Sequence, residues 1–107
     1  MRIKRGKSMY AIIWEYQAKA ERVAEFESIY RSNGAWAKLF RKGQGYLGTE
    51  LLRDADHPRR YVTIDSWTSS EAYASFLAQW KQEYDALDSH CSDLARHESL
   101  LGAFTSV

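Results

Sequence analysis

The sequence predicts an α+β fold of the ferredoxin-like type, with elements in the order βαββαβ around an antiparallel sheet. Three observations carry that reading. Short runs rich in aromatic and β-branched residues occur at 9–18, 45–54 and 60–68. The period changes to a helical one in the segments between and after them. A polar stretch, Ala55-Asp56-His57-Pro58-Arg59, joins the second and third runs as a hairpin turn and holds the only proline.

Taken in order, MYAIIWEYQA (9–18) reads as the first strand. Tyr10, Ile12, Trp14 and Tyr16 share one face; Met9, Ala11, Ile13 and Glu15 share the other. Both faces are largely apolar, so both are expected to be covered, one by helices and one by a second copy of the sheet. Residues 20–31 place Val23, Phe26 and Tyr30 at helical spacing. Asn33-Gly34 is expected to stop that helix, because both residues tolerate the left-handed conformation. A short helix at 35–41 presents Trp36, Leu39 and Phe40, and Gly43 and Gly45 then break the chain. After the hairpin, Ser69-Ser70-Glu71 offers a hydroxyl cap and early negative charge to a helix with Ala72, Tyr73, Phe76, Leu77 and Trp80 as its stripe. Tyr84, Leu87, Cys91, Leu94 and Leu101 step by threes and fours, which predicts a last helix over 82–100. Residues 103–107 are left as a short final strand.

A chain of 107 residues is one domain, and nothing in it suggests a linker or an internal repeat. The domain is assigned to 9–107 and a basic tail to 1–8. That tail holds Arg2, Lys4, Arg5 and Lys7, but no amphipathic helix accompanies it, so it reads as a solvated terminus. The formal net charge of +1 provides no field for nucleic acid. No apolar run reaches transmembrane or signal length, and Cys91 is the only cysteine; a cytoplasmic location without membrane or metal partners is the expectation. Aromatic residues make up 14% of the chain, which calls for a core, an interface or an aromatic-lined pocket.

GYLGTELLRD, YVTIDSWTSSEAYASF, the Trp36-Ala37-Lys38-Leu39-Phe40 insert before Gly45-Tyr46 and the late Gly102-Ala103-Phe104 resemble the antibiotic biosynthesis monooxygenase family, over roughly residues 9–104. The resemblance implies a homodimer whose sheets pack face to face as a dimeric α/β barrel, with a pocket between sheet and helices in each chain. It implies several possible activities: oxidation of aromatic polyketides by oxygen without metal or flavin, haem degradation, or isomerisation of small molecules. Haem-degrading relatives carry an Asn on the first strand, a Trp in the second main helix and a His beyond it. An ungapped match on Trp67 puts Tyr16, Phe76 and Ala86 there, so haem binding is not expected.

The reading is therefore a cofactor-independent monooxygenase acting on a small aromatic or polyketide-like compound. The alternatives are a non-catalytic binding protein or an isomerase of the same fold. Trp14, Tyr16, Trp67, Phe76 and Trp80 are the candidate substrate-binding residues; each could equally be core. His90 and Asp65 are the candidate catalytic residues. His90 lies beside the stripe of the last helix, with His97 seven residues on, and is either a cavity residue or a surface one. Asp65, in mid-strand, is either half of an ion pair or a polar group in a pocket, and Glu15 and Glu50 read the same way. Cys91 reads as a buried small hydrophobe.

Overall fold

The computed structural model describes residues 8–107, so the basic tail, all but Ser8, lies outside the described residues. The elements are β1 (Tyr10–Ala18), a 3-10 turn (Ala20–Arg22), α1 (Val23–Tyr30), α2 (Ala35–Phe40), β2 (Tyr46–Arg53), β3 (Arg60–Trp67), α3 (Ser70–Gln79), α4 (Lys81–Cys91) and β4 (Ala95–Thr105). Each crossover of the ferredoxin-like plan is thus made by two helices. The sheet is antiparallel in the order β2-β3-β1-β4.

Alternation along the strands decides which face meets the helices. In β3, Tyr61, Thr63, Asp65 and Trp67 are buried, while Arg60, Val62, Ile64 and Ser66 are only partly so. Register places Tyr16 opposite Tyr61, Trp14 opposite Thr63, Ile12 opposite Asp65 and Tyr10 opposite Trp67, on the helix side. Thr49 and Leu51 of β2 join them opposite Asp65 and Thr63. The other face carries Ala11, Ile13, Val62, Ile64, Leu52 and Phe104, and among the described residues no element covers it. Leu52 and Phe104 are half exposed.

Several local devices fix the helices. Ser69 Oγ accepts from Ala72 N at 3.0 Å and caps α3 as expected. Gly45 has φ +92°, and a Cβ there would lie 2.6 Å from Thr68 Oγ1 and 2.7 Å from Ala72 Cβ. Its carbonyl accepts from Thr68 N at 2.7 Å, which ties the entry of β2 to the start of α3. Gly34 works differently from its expected role. It is not left-handed but is the extended N-cap of α2, and a Cβ on it would meet the Ile29 carbonyl oxygen at 2.3 Å. Close approach, not positive φ, requires glycine there.

The expected helix over 82–100 is corrected. α4 stops at Cys91, Leu94 N turns back to donate to the Cys91 carbonyl, and Leu94 plugs the core. Residues Ala95–Thr105 then pair with the whole length of β1. The final strand is eleven residues long rather than five, and His97 stands on it opposite Gln17, not on a helix with His90.

Candidate functional site

Between the sheet and the helices lies a cavity of about 110 Å³. Its floor is the helix side of the sheet: Ile12, Trp14 and Tyr16 from β1, Thr49 from β2, Thr63 and Asp65 from β3. Its roof is aromatic: Tyr30 from α1, Trp36 and Phe40 from α2, Tyr73 from α3 and Tyr84 from α4. Asp88 of α4 and Glu98 of β4, both exposed, complete it at the solvent side. The volume is of the order of the roughly 150 Å³ cavities that admit benzene. It takes one ring.

Asp65 is the unusual group on the floor. Its side chain is 8% exposed and pairs with no cation among the described residues. Thr49 Oγ1 donates to Asp65 Oδ1 at 2.7 Å. Because that hydroxyl proton is committed to the carboxylate, the 2.6 Å contact between Tyr46 and Thr49 has the tyrosine as donor. Burial pushes the Asp65 carboxyl up to about 6, and the Thr49 hydrogen bond opposes the shift only in part. Of the two sequence readings, the polar group in a pocket matches this placement; the ion pair has no cationic partner among the described residues of the chain. Glu15, by contrast, is paired: Arg60 Nε reaches its Oε2 at 2.6 Å, and the same guanidinium reaches Asp54 at 2.8 Å. Glu50 is exposed.

Two further polar atoms on the wall have no hydrogen-bond partner among the described residues, as is also true of the Trp67 and Trp80 indole N–H groups away from it. Thr63 Oγ1 lies beside the Tyr16 hydroxyl, and Trp36 Nε1 beside the Tyr30 hydroxyl and the Cys91 thiol, but neither reaches hydrogen-bond geometry. Both residues are more than nine-tenths buried. A buried donor without a partner is costly unless a bound molecule satisfies it. Burial holds the Tyr16, Tyr30 and Tyr73 hydroxyls well above the usual tyrosine range and raises that of Tyr84, so they stay protonated as donors.

Of the residues singled out in the sequence, Trp14, Tyr16 and Asp65 come together on this floor. Trp67 and Phe76 pack against each other with ring centroids 5.3 Å apart and at most 1% exposure, in the core beside the cavity rather than on its wall. Trp80 sits at the α3–α4 junction under Lys42 Nζ, 4.9 Å from the ring centre. His90 is exposed in the last turn of α4 and is not on the cavity wall. Cys91 is buried as expected, and burial pushes its thiol up. Tyr30, Trp36, Tyr73 and Tyr84 also line the cavity, from helical positions whose spacing reads as core stripe. The available signal was chemical: these inward helical positions carry polar-tipped rings where Leu or Phe would fill a core without a hydroxyl or N–H to satisfy.

Among the described residues no group of three or more His, Cys, Asp or Glu side chains is placed to hold a metal ion, and no helix is long and apolar enough to cross a membrane.

The family model for antibiotic biosynthesis monooxygenases matches residues 9–91. The chain belongs to that family. Deoxynogalonate monooxygenase of Streptomyces nogalater is 38% identical over 56 residues, which are 52% of this chain and 45% of that protein, so the match spans less than half of that relative's length. SnoaB from the same organism, described as a cofactor-independent oxygenase, is 27% identical with a TM-score of 0.66 over 95% of each chain. A Bordetella bronchiseptica protein with the same family assignment superposes with a TM-score of 0.75 at 19% identity, over 94% of this chain and 99% of that one, and bears on the fold alone.

Proposed function

We propose that this family member is a cofactor-independent monooxygenase that oxidises a small phenolic compound held in the aromatic cavity, with Asp65 taking the phenolic proton. The observation that carries this reading is Asp65 itself: a carboxylate buried on the floor of an aromatic cavity, paired with no cation among the described residues, and with its proton affinity raised towards neutrality. A buried charge that makes no ion pair is maintained at a cost that a purely structural residue does not justify.

The chemistry balances without an external reductant. Asp65 removes the hydroxyl proton, and the electron-rich phenolate passes an electron to molecular oxygen. The two radicals combine at a ring carbon next to the one that bears the oxygen, giving a hydroperoxide. Loss of water then leaves a carbonyl on that carbon. One oxygen atom stays in the quinone and the other leaves as water, with the phenolic and ring hydrogens. The tyrosine hydroxyls, Trp36 Nε1 and Thr63 Oγ1 are donors for negative charge on substrate oxygens as it develops. The aromatic walls exclude water that would otherwise protonate the phenolate.

The uncovered sheet face supports a homodimer. Ile13, Val62, Ile64, Leu52 and Phe104 form a largely apolar surface, which a second sheet would bury. Light scattering should report about twice the 12.4 kDa chain mass; a monomer at micromolar concentration contradicts the dimer.

The reaction is tested with an oxygen electrode and a single-ring hydroquinone or phenol, with no added cofactor. Oxygen uptake should depend on the protein and fall about 10²–10⁴-fold in Asp65→Asn. Binding without uptake makes the chain a non-catalytic binding protein of the same fold. Uptake unchanged by the substitution removes Asp65 from the mechanism.

A further inference from the structure

The cavity carries a charge pattern that the proposed reaction does not require. Three carboxylates line it, Asp65 at the bottom and Asp88 and Glu98 at the solvent side, with no lysine, arginine or histidine among the lining residues. Asp88 stands on α4 and Glu98 on β4, so two separate elements converge to make the mouth acidic. They are close enough that Asp88 adds to the upward push which partial burial gives the Glu98 carboxyl. Between bottom and mouth the walls are aromatic faces, and such faces attract cations through the negative potential over the ring. The Trp36 N–H and Thr63 hydroxyl on its wall are more than nine-tenths buried and have no hydrogen-bond partner among the described residues, so both are free to bond a polar ligand.

We propose, on the strength of the phenol-oxidation reading above, that the ligand is a phenol bearing a protonated amine, its ring between Tyr16, Trp36 and Tyr84 and its ammonium at the mouth between Asp88 and Glu98. A single ring fills about 110 Å³, so any substituent opposite the hydroxyl must extend to the solvent side, where the two carboxylates stand. An anionic substituent at that place meets two like charges, and a neutral one forfeits the attraction of both. Selection between them is by charge, not shape.

Three compounds of one size separate charge from shape: tyramine, tyrosol (the neutral alcohol) and 4-hydroxyphenylacetate. Isothermal titration calorimetry on the full chain at neutral pH and low salt should give tyramine a Kd lower than that of tyrosol by on the order of ten-fold, with the acid weakest. In the double variant Asp88→Asn, Glu98→Gln the tyramine preference should shrink to about three-fold or less, while tyrosol binding stays unchanged. Both positions are exposed and both changes are near-isosteric; an unaltered melting temperature confirms the fold. Equal binding of all three compounds, preference for the acid, or a tyramine preference that survives the double substitution overturns the charge inference and leaves the phenol reading intact. If tyrosol itself does not bind, the phenol reading falls and takes this inference with it.

Discussion

Two aromatic clusters sit side by side on the helix face of the sheet, one solid and one hollow. In the solid one, Phe40, Tyr46, Trp67, Tyr73 and Phe76 meet edge-to-face or tilted, with centroids 5.3–5.7 Å apart, and Trp67 has no exposed surface. In the hollow one, Tyr16, Tyr30, Trp36 and Tyr84 contact each other at 4.9–6.4 Å but enclose a space beside Asp65 and Thr63. Phe40 and Tyr73 border both. The residue types are nearly the same. Each cluster holds an indole N–H without a partner among the described residues, Trp67 in the solid one and Trp36 in the hollow one. The difference lies in Asp65 and the Thr63 hydroxyl, which line the space that the hollow cluster encloses. Aromatic content alone does not mark a site; aromatic walls around a buried carboxylate do.

The largest way to break this comparison is through turnover, where Asp65→Asn should remove most activity and Trp67→Phe, in the solid cluster, little of it. The activity of the unmodified chain should also rise with pH through about 6, as the Asp65 proton leaves. A flat profile across that range would exclude Asp65 as the base.

Next in size is stability. Trp67→Ala should cost about 3–5 kcal/mol, because nothing can fill the space it leaves. Trp14→Ala, at a partly exposed position that already borders a void, should cost about 1 kcal/mol while weakening ligand binding. Chemical denaturation compares them directly, and equal losses would erase the distinction between solid and hollow.

A smaller effect has its sign set by linkage. The folded carboxyl at about 6 lies above its unfolded value near 4, so the native state holds the Asp65 proton more tightly. The charge therefore destabilises the fold fully above pH 6 and not at all below about pH 4. Asp65→Asn should accordingly raise the melting temperature at pH 7.5, and the gain should vanish as pH falls through that window. Smallest of all, Lys42→Ala should cost about 0.5 kcal/mol through the lost contact over Trp80 and leave ligand binding untouched.

Most of the fold was legible because its signals were local. The two-faced run at β1, the hairpin around Pro58 and the Ser69 cap each announce themselves within ten residues. β4 was not, because Cys91, Leu94 and Leu101 happen to step helically and Arg96-His97-Glu98-Ser99 are weak strand formers. Pairing with β1, from Ala18↔Ala95 to Tyr10↔Thr105, overrides that preference. The floor of the site was partly legible for a related reason. Trp14, Tyr16 and Asp65 share one strand face or adjacent ones, and a period of two finds them. The roof comes from four helices whose rings look like ordinary core stripe until the void beneath them is seen. His90 is the reverse case: near the stripe in sequence, yet turned to solvent because α4 ends there.

The most direct test of the account is a crystal structure of the protein soaked with tyrosol. The ring should lie in the hollow cluster between Tyr16 and Trp36, its hydroxyl within hydrogen-bond distance of Asp65, with Trp67 and Phe76 unmoved. Density for the ring elsewhere, or a cavity closed by repacked tyrosines with Asp65 paired to a cation, would contradict it.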